Sequence, residues 1–231
     1  MSQNLVLMLL GGALLRISAF STIYVNYVKP GFRPFLVAAG LVIFVIGLLG
    51  LVRRTAPGDH DGDCDHHGPR VAWLLCLPVF AVFLIAPPAL GSFAAARSDA
   101  PPPRPQALDA YAPLKGDEPA EMPMSEFIGR VFSDSSQTLK GRTVRLTGFV
   151  TPSRKKGQWY VTRMQLACCA ADAYALKVIV RDAPPPKPDT WVEVTGTWVP
   201  TEVDEDTTGV VHAELAAVDV KPVAAPSEPY E

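Results

Sequence analysis

Apolar residues follow two different rhythms along this chain. Near the N-terminus they run almost unbroken, in stretches at about 5–28, 34–52 and 71–90. Each is close to or above the roughly 20 residues that a helix needs to cross a ~30 Å hydrocarbon core, so three transmembrane helices are predicted. A cleaved signal peptide is the rival reading of the first stretch. Against it, Met1 to Asn4 carry no Lys or Arg, the apolar run is too long, and no small-residue cleavage site follows.

The second rhythm begins after residue 123. The segment MSEFIGRVFSDSS offers Ser125 as a cap ahead of Phe127, Ile128, Val131 and Phe132, which make the one-sided stripe of a short helix. Thereafter the period is two. TVRLTGFV puts Val144, Leu146, Gly148 and Val150 on one face, and QWYVTRMQLA, ALKVIV, WVEVTGTWV and VVHAELAAVDV follow as four more strands. SRKKG ending at Gly157 is a polar hairpin connection, and the proline block DAPPPKPD at 182–189 fits only a loop. Gly148 and Gly196 stand at inward positions, where a small barrel bends or two backbones approach.

These patterns define a membrane α-helical N-terminal part joined to a C-terminal mainly-β domain, read as an OB-like small barrel with one short helix. A flat five-stranded sheet capped by the helix is the alternative. The chain divides into a membrane domain at 1–97, a Pro/Ala-rich linker at 98–123 too poor in apolar residues to bury a core, the β domain at 124–222, and a disordered tail at 223–231.

Composition agrees with that division: 48% of the 231 residues are hydrophobic, and the mean hydropathy of +0.18 exceeds what a soluble domain needs. A net charge of -2 leaves no basic stripe, so nucleic acid is not expected as a partner. The lipid bilayer is. Lys29 and Arg33 lie between the first two spans, whereas Arg53, Arg54 and Arg70 flank the next loop and Arg97 and Arg104 follow the third. Assigning the arginine-flanked loop to the cytoplasm places the protein in the cell membrane as a multi-pass chain with its C-terminal domain extracytoplasmic.

That loop, GDHDGDCDHHGP at 58–69, gathers His60, Cys64, His66 and His67 among Asp59, Asp61, Asp63 and Asp65. Imidazole and thiolate suit a transition metal such as Zn, and carboxylates can supplement them. The spacing H-x3-C-x-H-H matches no closed structural zinc site, so any binding there is expected to be loose and exchangeable; a plain hydrophilic spacer is the alternative.

LACCAADA at 166–173 sets Cys168 beside Cys169. Neighbours on a strand point to opposite faces and a vicinal disulfide needs a strained backbone, so the two thiols act separately or as a turn-held pair. Small buried filler, metal or thiol chemistry, and a disulfide to another chain are the readings left open, with Met164 and His212 as potential soft neighbours. Cys76 reads as packing within the third span. Arg16 sits well inside an apolar stretch, with Ser18, Ser21, Thr22 and Asn26 giving the same helix a polar side. An intramembrane guanidinium faces a protein interior or a partner helix, or else snorkels to the interface. No phosphate loop, nucleophile elbow, H-E-x-x-H or paired carboxylates appear in the sequence, so no catalytic set is identified.

Together TVRLTGFV, VTRMQLACCAADA and WVEVTGTWV, with the polar first helix, the His and Asp loop and WLLCLPV in the third span, resemble the YcgQ-like bacterial membrane proteins. The family is one of permease subunits encoded beside a larger permease, with a C-terminal domain of unknown function. The resemblance covers nearly the whole chain. It implies a permease partner in the membrane, and its recurrent core falls here on Arg163, Met164, Cys168, Cys169, Ala170, Ala171, Asp172 and Ala173 as a ligand or docking segment. The leading expectation is therefore an accessory permease subunit, with Arg16, Ser18 and Asn26 at the helix contact. A stand-alone membrane-anchored metallochaperone or metal sensor, and an envelope thiol enzyme, are the alternatives.

Overall fold

The computed structural model describes residues 2–55, 77, 88–98, 111–116, 118–153, 155, 157–200 and 211–231. The chain divides into two compact units, Met1–Ala89 and Leu90–Glu231.

The first unit is a helical hairpin of α1 (Ser2–Ala19) and α2 (Arg33–Thr55), joined through short 3-10 turns at Ile23–Asn26 and Pro30–Phe32. Glycines let the two backbones touch. A Cβ on Gly11 would stand 2.5 Å from the Phe44 nitrogen, and one on Gly47 would stand 2.8 Å from the Met8 nitrogen. Small residues at such a seam allow the close approach typical of helices packed in lipid. The outward face of α2, including Leu41, Val42, Ile46, Leu49 and Val52, is apolar and exposed.

The first expected span, 5–28, is cut short: α1 ends at Ala19. Arg33 reaches back, its Nε donating to the Ser18 carbonyl at 3.0 Å and its Nη2 to the Ala19 carbonyl at 3.1 Å, so carbonyls left over at the helix end find a donor. Among the described residues one helical stretch, Pro30–Arg53, with a mean hydropathy of 2.9, is long and apolar enough to cross a membrane. Of the two expected spans that the described residues cover, then, one meets the length requirement. The third, 71–90, lies outside the described residues except for Leu77 and its last three positions.

The second unit is the β domain. Its elements run α3 (Ser92–Arg97), β1 (Ala120–Glu121), α4 (Met124–Ser133), β2 (Thr143–Pro152), β3 (Trp159–Gln165), β4 (Tyr174–Arg181), β5 (Trp191–Val199) and β6 (Ala213–Pro222). The sheet order is β1-β2-β3-β4-β6-β5, and β5 returns to pair with β2 from Thr143↔Thr197 to Phe149↔Trp191. Five strands thus close into a barrel, with β4 and β6 parallel and the other barrel pairs antiparallel. This is an OB-like barrel, and the flat-sheet alternative is discarded.

Both inward glycines sit at close backbone approaches. A Cβ on Gly148 would meet the Thr162 carbonyl oxygen at 2.5 Å, and one on Gly196 would collide with the Ala216 carbonyl oxygen, next to the irregularity in the β5/β6 register. The alternating positions Val144, Leu146, Val150, Trp159, Val161, Val178, Val192, Val194 and Leu215 fill the interior. The Trp159 indole donates to the Ala183 carbonyl at 2.9 Å, satisfying its polar atom inside an apolar core. Helix α4 packs onto that core through Met124, Phe127 and Ile128.

Three differences from the sequence expectation concern segments that bury little by themselves. Pro123, not Ser125, occupies the cap position of α4. Its free amides are met from the other end of the domain, where the Glu231 carboxylate accepts from the Met124 and Ser125 nitrogens at 2.9 and 3.0 Å. Residues expected to fray in the tail are ordered: Tyr230 bridges Met164 in parallel, the Glu231 nitrogen donates to the Met164 carbonyl, and the Leu166 nitrogen donates to the Glu231 carbonyl. Finally, part of the expected linker is folded onto the domain. Leu114 packs against the core, the Ala112 carbonyl accepts from Arg130, and Ala120–Glu121 form β1.

Residues 90–97, placed with the membrane domain by sequence, belong to the β unit. Helix α3 lies on the outer barrel surface, with Ala95 fully buried among Phe149, Met164 and Ala175. Asp189 holds its N-terminus, accepting from the Ser92 nitrogen and hydroxyl at 2.6 and 2.7 Å, and the Lys177 ammonium donates to the Ser98 carbonyl at 2.9 Å. The outer surface formed by β3 and β4, the face that binds ligands in many OB folds, is thus partly covered by the chain's own segment.

Candidate functional site

The loop from β3 to β4 is fastened at both ends and open between. Leu166, 1% exposed, anchors its start, and β4 resumes at Tyr174. Between them the chain bends at Ala167 and Cys168, Cys169 is extended, and Ala170–Asp172 form one 3-10 turn. The alanines leave room for so tight a reversal.

Because the bend comes just before Cys169, strand alternation no longer separates the two thiols. Their Sγ atoms lie 3.6 Å apart, Cys168 exposed and Cys169 half-buried, and both are free. They form the turn-held pair. Asp172 folds back over them: its Oδ1 accepts from the Ala167 nitrogen at 2.9 Å, and its Oδ2 from the Cys168 and Cys169 nitrogens at 2.9 and 3.2 Å. Three consecutive amides thus cradle one carboxylate. The Cys168 thiol also donates to Oδ2, at 2.7 Å.

Electrostatics follow from that contact. The hydrogen bond to Asp172, with a smaller contribution from Cys169, pushes the Cys168 thiol up to about 12. Reciprocally, the donated thiol hydrogen and the backbone amides draw the Asp172 carboxyl down to about 2. At neutral pH the arrangement is an ionised carboxylate holding a protonated thiol. Cys168, Cys169 and Asp172 each offer one ligand atom, and these lie within 4.8 Å of one another.

The other residues singled out from the sequence are placed elsewhere. Arg163 ties down the tail: Nη2 donates to the Glu228 carbonyl at 3.1 Å, Nε lies 3.7 Å from Glu231, and the guanidinium stands over Trp191. Burial lowers its pKa and Glu231 partly restores it. Met164 is buried under α3. His212 packs edge-on against Tyr160, and burial, then Lys177, lowers it to about 4. An open cleft of about 390 Å³ beside Arg163, Glu121, Thr147 and Glu231 lies against these tail contacts.

In the hairpin, Arg16 is exposed and donates to the Phe20 carbonyl at 3.3 Å, while Ser18 is buried and bonds back to the Leu14 carbonyl at 2.6 Å. Ser21, Thr22 and Asn26 lie beyond the end of α1 rather than along its side. The loop with Asp59, His60, Asp61, Asp63, Cys64, Asp65, His66 and His67 lies outside the described residues. What the sequence reading missed is the clamp by Asp172. Its signal was present: Asp172 stands three residues after Cys169, the spacing at which a side chain reaches back to free amides at the start of a turn.

An OB-like domain with an exposed dithiol and carboxylate loop is the class that this geometry defines. Residues 126–231 match the family model of the DUF1980 C-terminal domain, a stretch that takes in all five barrel strands and the cysteine loop. No curated protein matches the chain. Among solved structures, a chain assigned as an aspartyl-tRNA synthetase from Leishmania major Friedlin aligns at 14% identity over 49% of this chain and 23% of that one, with a TM-score of 0.26. So low a score carries no argument.

Proposed function

We propose that the protein is a membrane-anchored accessory subunit of a permease, in which the apolar hairpin resides in the bilayer and the OB-like domain acts as an extracytoplasmic binding module. The observation that carries binding over catalysis is the state of the cysteine loop. Two thiols and a carboxylate converge on an accessible bend, yet Cys168 is held protonated by a carboxylate of pKa about 2, which is far too weak a base to activate it. A thiol enzyme needs a base that takes this proton before the substrate arrives, whereas a divalent ion can displace it on binding. Membrane residence is supported by the Pro30–Arg53 helix and the glycine seam between α1 and α2; the permease partner rests on the sequence resemblance.

A stand-alone membrane-anchored metal carrier or sensor is the second reading, favoured by the paired thiols. Affinity purification of the full chain from its native membrane, with in-membrane crosslinking, separates the two. A stoichiometric multi-pass partner is expected, and recovery of the chain only with itself or lipid would overturn the subunit assignment. Reporter fusions after Glu231 test sidedness, for which activity of an export-dependent reporter is expected.

A further inference from the structure

We infer that Cys168, Cys169 and Asp172 form an open three-ligand seat for a thiophilic divalent ion of the zinc class, with two thiolates and one carboxylate oxygen bound and the fourth position left to solvent or to a recipient ligand. The inference goes beyond the subunit assignment and does not depend on any protein partner. It also concerns a different segment from the histidine loop at 58–69.

Distances carry the argument. Two thiolates at about 2.3 Å from a tetrahedral zinc stand roughly 3.8 Å apart. The two Sγ atoms are already 3.6 Å apart, so little rearrangement of the backbone is required to give both to one ion. A thiolate and a carboxylate oxygen on the same ion stand about 3.5 Å apart, whereas Cys168 Sγ and Asp172 Oδ2 are 2.7 Å apart across the shared hydrogen. Replacing that hydrogen by a metal opens the gap by about 0.8 Å, within reach of a side-chain rotation by an exposed cysteine.

The surroundings are those of a ligand set rather than of core filler. The cysteine pair is not packed inside the barrel, since Cys168 is exposed and Cys169 half-buried. The amides of Ala167, Cys168 and Cys169 orient the carboxylate in the manner of outer-shell donors, fixing it on the thiol side of the loop. Softness selects the ion: two sulfurs and one oxygen favour zinc or a similar thiophilic metal over magnesium or calcium, which require oxygen ligands. Three protein ligands leave a tetrahedral ion one exchangeable position, and the exposed bend lets a second molecule reach it.

The balance is simple. One divalent ion binds, the two thiol hydrogens leave as protons to solvent, and no electrons move. Asp172 enters as the carboxylate and returns no proton. The bound unit therefore carries the ion's two positive charges against two thiolates and one carboxylate.

The test uses the full chain in detergent micelles under reducing, oxygen-free conditions. Cobalt(II) serves as the spectroscopic probe, since its thiolate complexes show a sulfur-to-metal charge-transfer band. The inference expects one equivalent with that band, lost in Cys168→Ser and in Cys169→Ser, and retained when His60, Cys64, His66 and His67 are all replaced by Ala. Asp172→Asn should keep the band with at least about 10-fold weaker binding. A band that follows the histidine loop, or that survives both serine variants, overturns the seat, and unchanged affinity in Asp172→Asn removes the third ligand. Should a variant misfold, the unaltered protein still decides. Zinc(II) must slow alkylation of Cys168 and Cys169 together, and equal rates with and without zinc refute the inference.

Discussion

Replacing Asp172 by Asn tests the clamp on Cys168 directly. The substitution keeps the side-chain shape but removes the charge and turns one accepting oxygen into a donor facing the amides of residues 167–169. With the carboxylate present, the thiol is pushed up to about 12 from an ordinary 9.0, so at pH 8 only about one molecule in 10⁴ carries the thiolate, against about one in ten without it. The thousandfold gain in thiolate is partly offset. A thiolate three decades less basic is about 20-fold less nucleophilic, for a Brønsted slope near 0.45. Because the contact with Cys169 remains, Asp172→Asn should be alkylated by iodoacetamide at Cys168 faster at pH 8 by up to about 50-fold, with tandem mass spectrometry assigning the adduct to Cys168 or Cys169. The rate of the unaltered protein should still be rising at pH 10, where the variant's has levelled off. Equal rates in the two proteins, or a Cys168 in the unaltered protein that reacts like a free thiol at pH 8, would refute the clamp.

Further predictions bear on the frame that holds the loop. Gly196→Val forces a side chain into the Ala216 carbonyl where β5 meets β6, and should lower stability in chemical denaturation by about 3 kcal/mol or more. Glu231→Ala removes the acceptor for the Met124 and Ser125 amides and the partner of Arg163; a loss of about 1–2 kcal/mol is expected, with faster hydrogen exchange confined to the start of α4 and the end of β3. Leu215→Ala empties a fully buried barrel position and should cost about 2–5 kcal/mol. His212, held at about 4 by burial and Lys177, has a folded pKa below its unfolded one. Its contribution is full above about pH 6.5 and is lost as pH falls through about 4, by at most about 3 kcal/mol. That portion of the acid loss should be absent in His212→Gln, as followed by denaturant midpoints between pH 7 and 4.

The parts of this molecule that show in its sequence are those governed by local pattern. Strict alternation in WVEVTGTWV delivers β5 at 191–199 residue for residue, and the inward glycines of β2 and β5 announce the close approaches that let five strands close. Patterns decided by distant partners stay hidden. Nothing near Ser92–Arg97 distinguishes a helix bound to a barrel from the end of a membrane span, because its burial depends on Phe149, Met164 and Ala175. The tail looks like a frayed end until Glu231 is seen to cap a helix that begins 107 residues earlier. The end of α1 at Ala19 depends similarly on Arg33, from the next helix. At the site, the residue types were legible and their convergence was not. Alternation predicts thiols on opposite faces, and only the bend at Ala167 and Cys168 brings them to one side.

The most direct measurement of the central claim, that this loop binds a thiophilic divalent ion, is zinc K-edge X-ray absorption on the full chain. It should be loaded with one equivalent of zinc under reducing conditions, with His60, Cys64, His66 and His67 replaced by Ala so that only the loop beside β4 contributes. The account predicts two sulfur scatterers at about 2.3 Å with the remaining ligands oxygen at about 2.0 Å. A shell of nitrogen and oxygen alone, or no retained zinc, would contradict it.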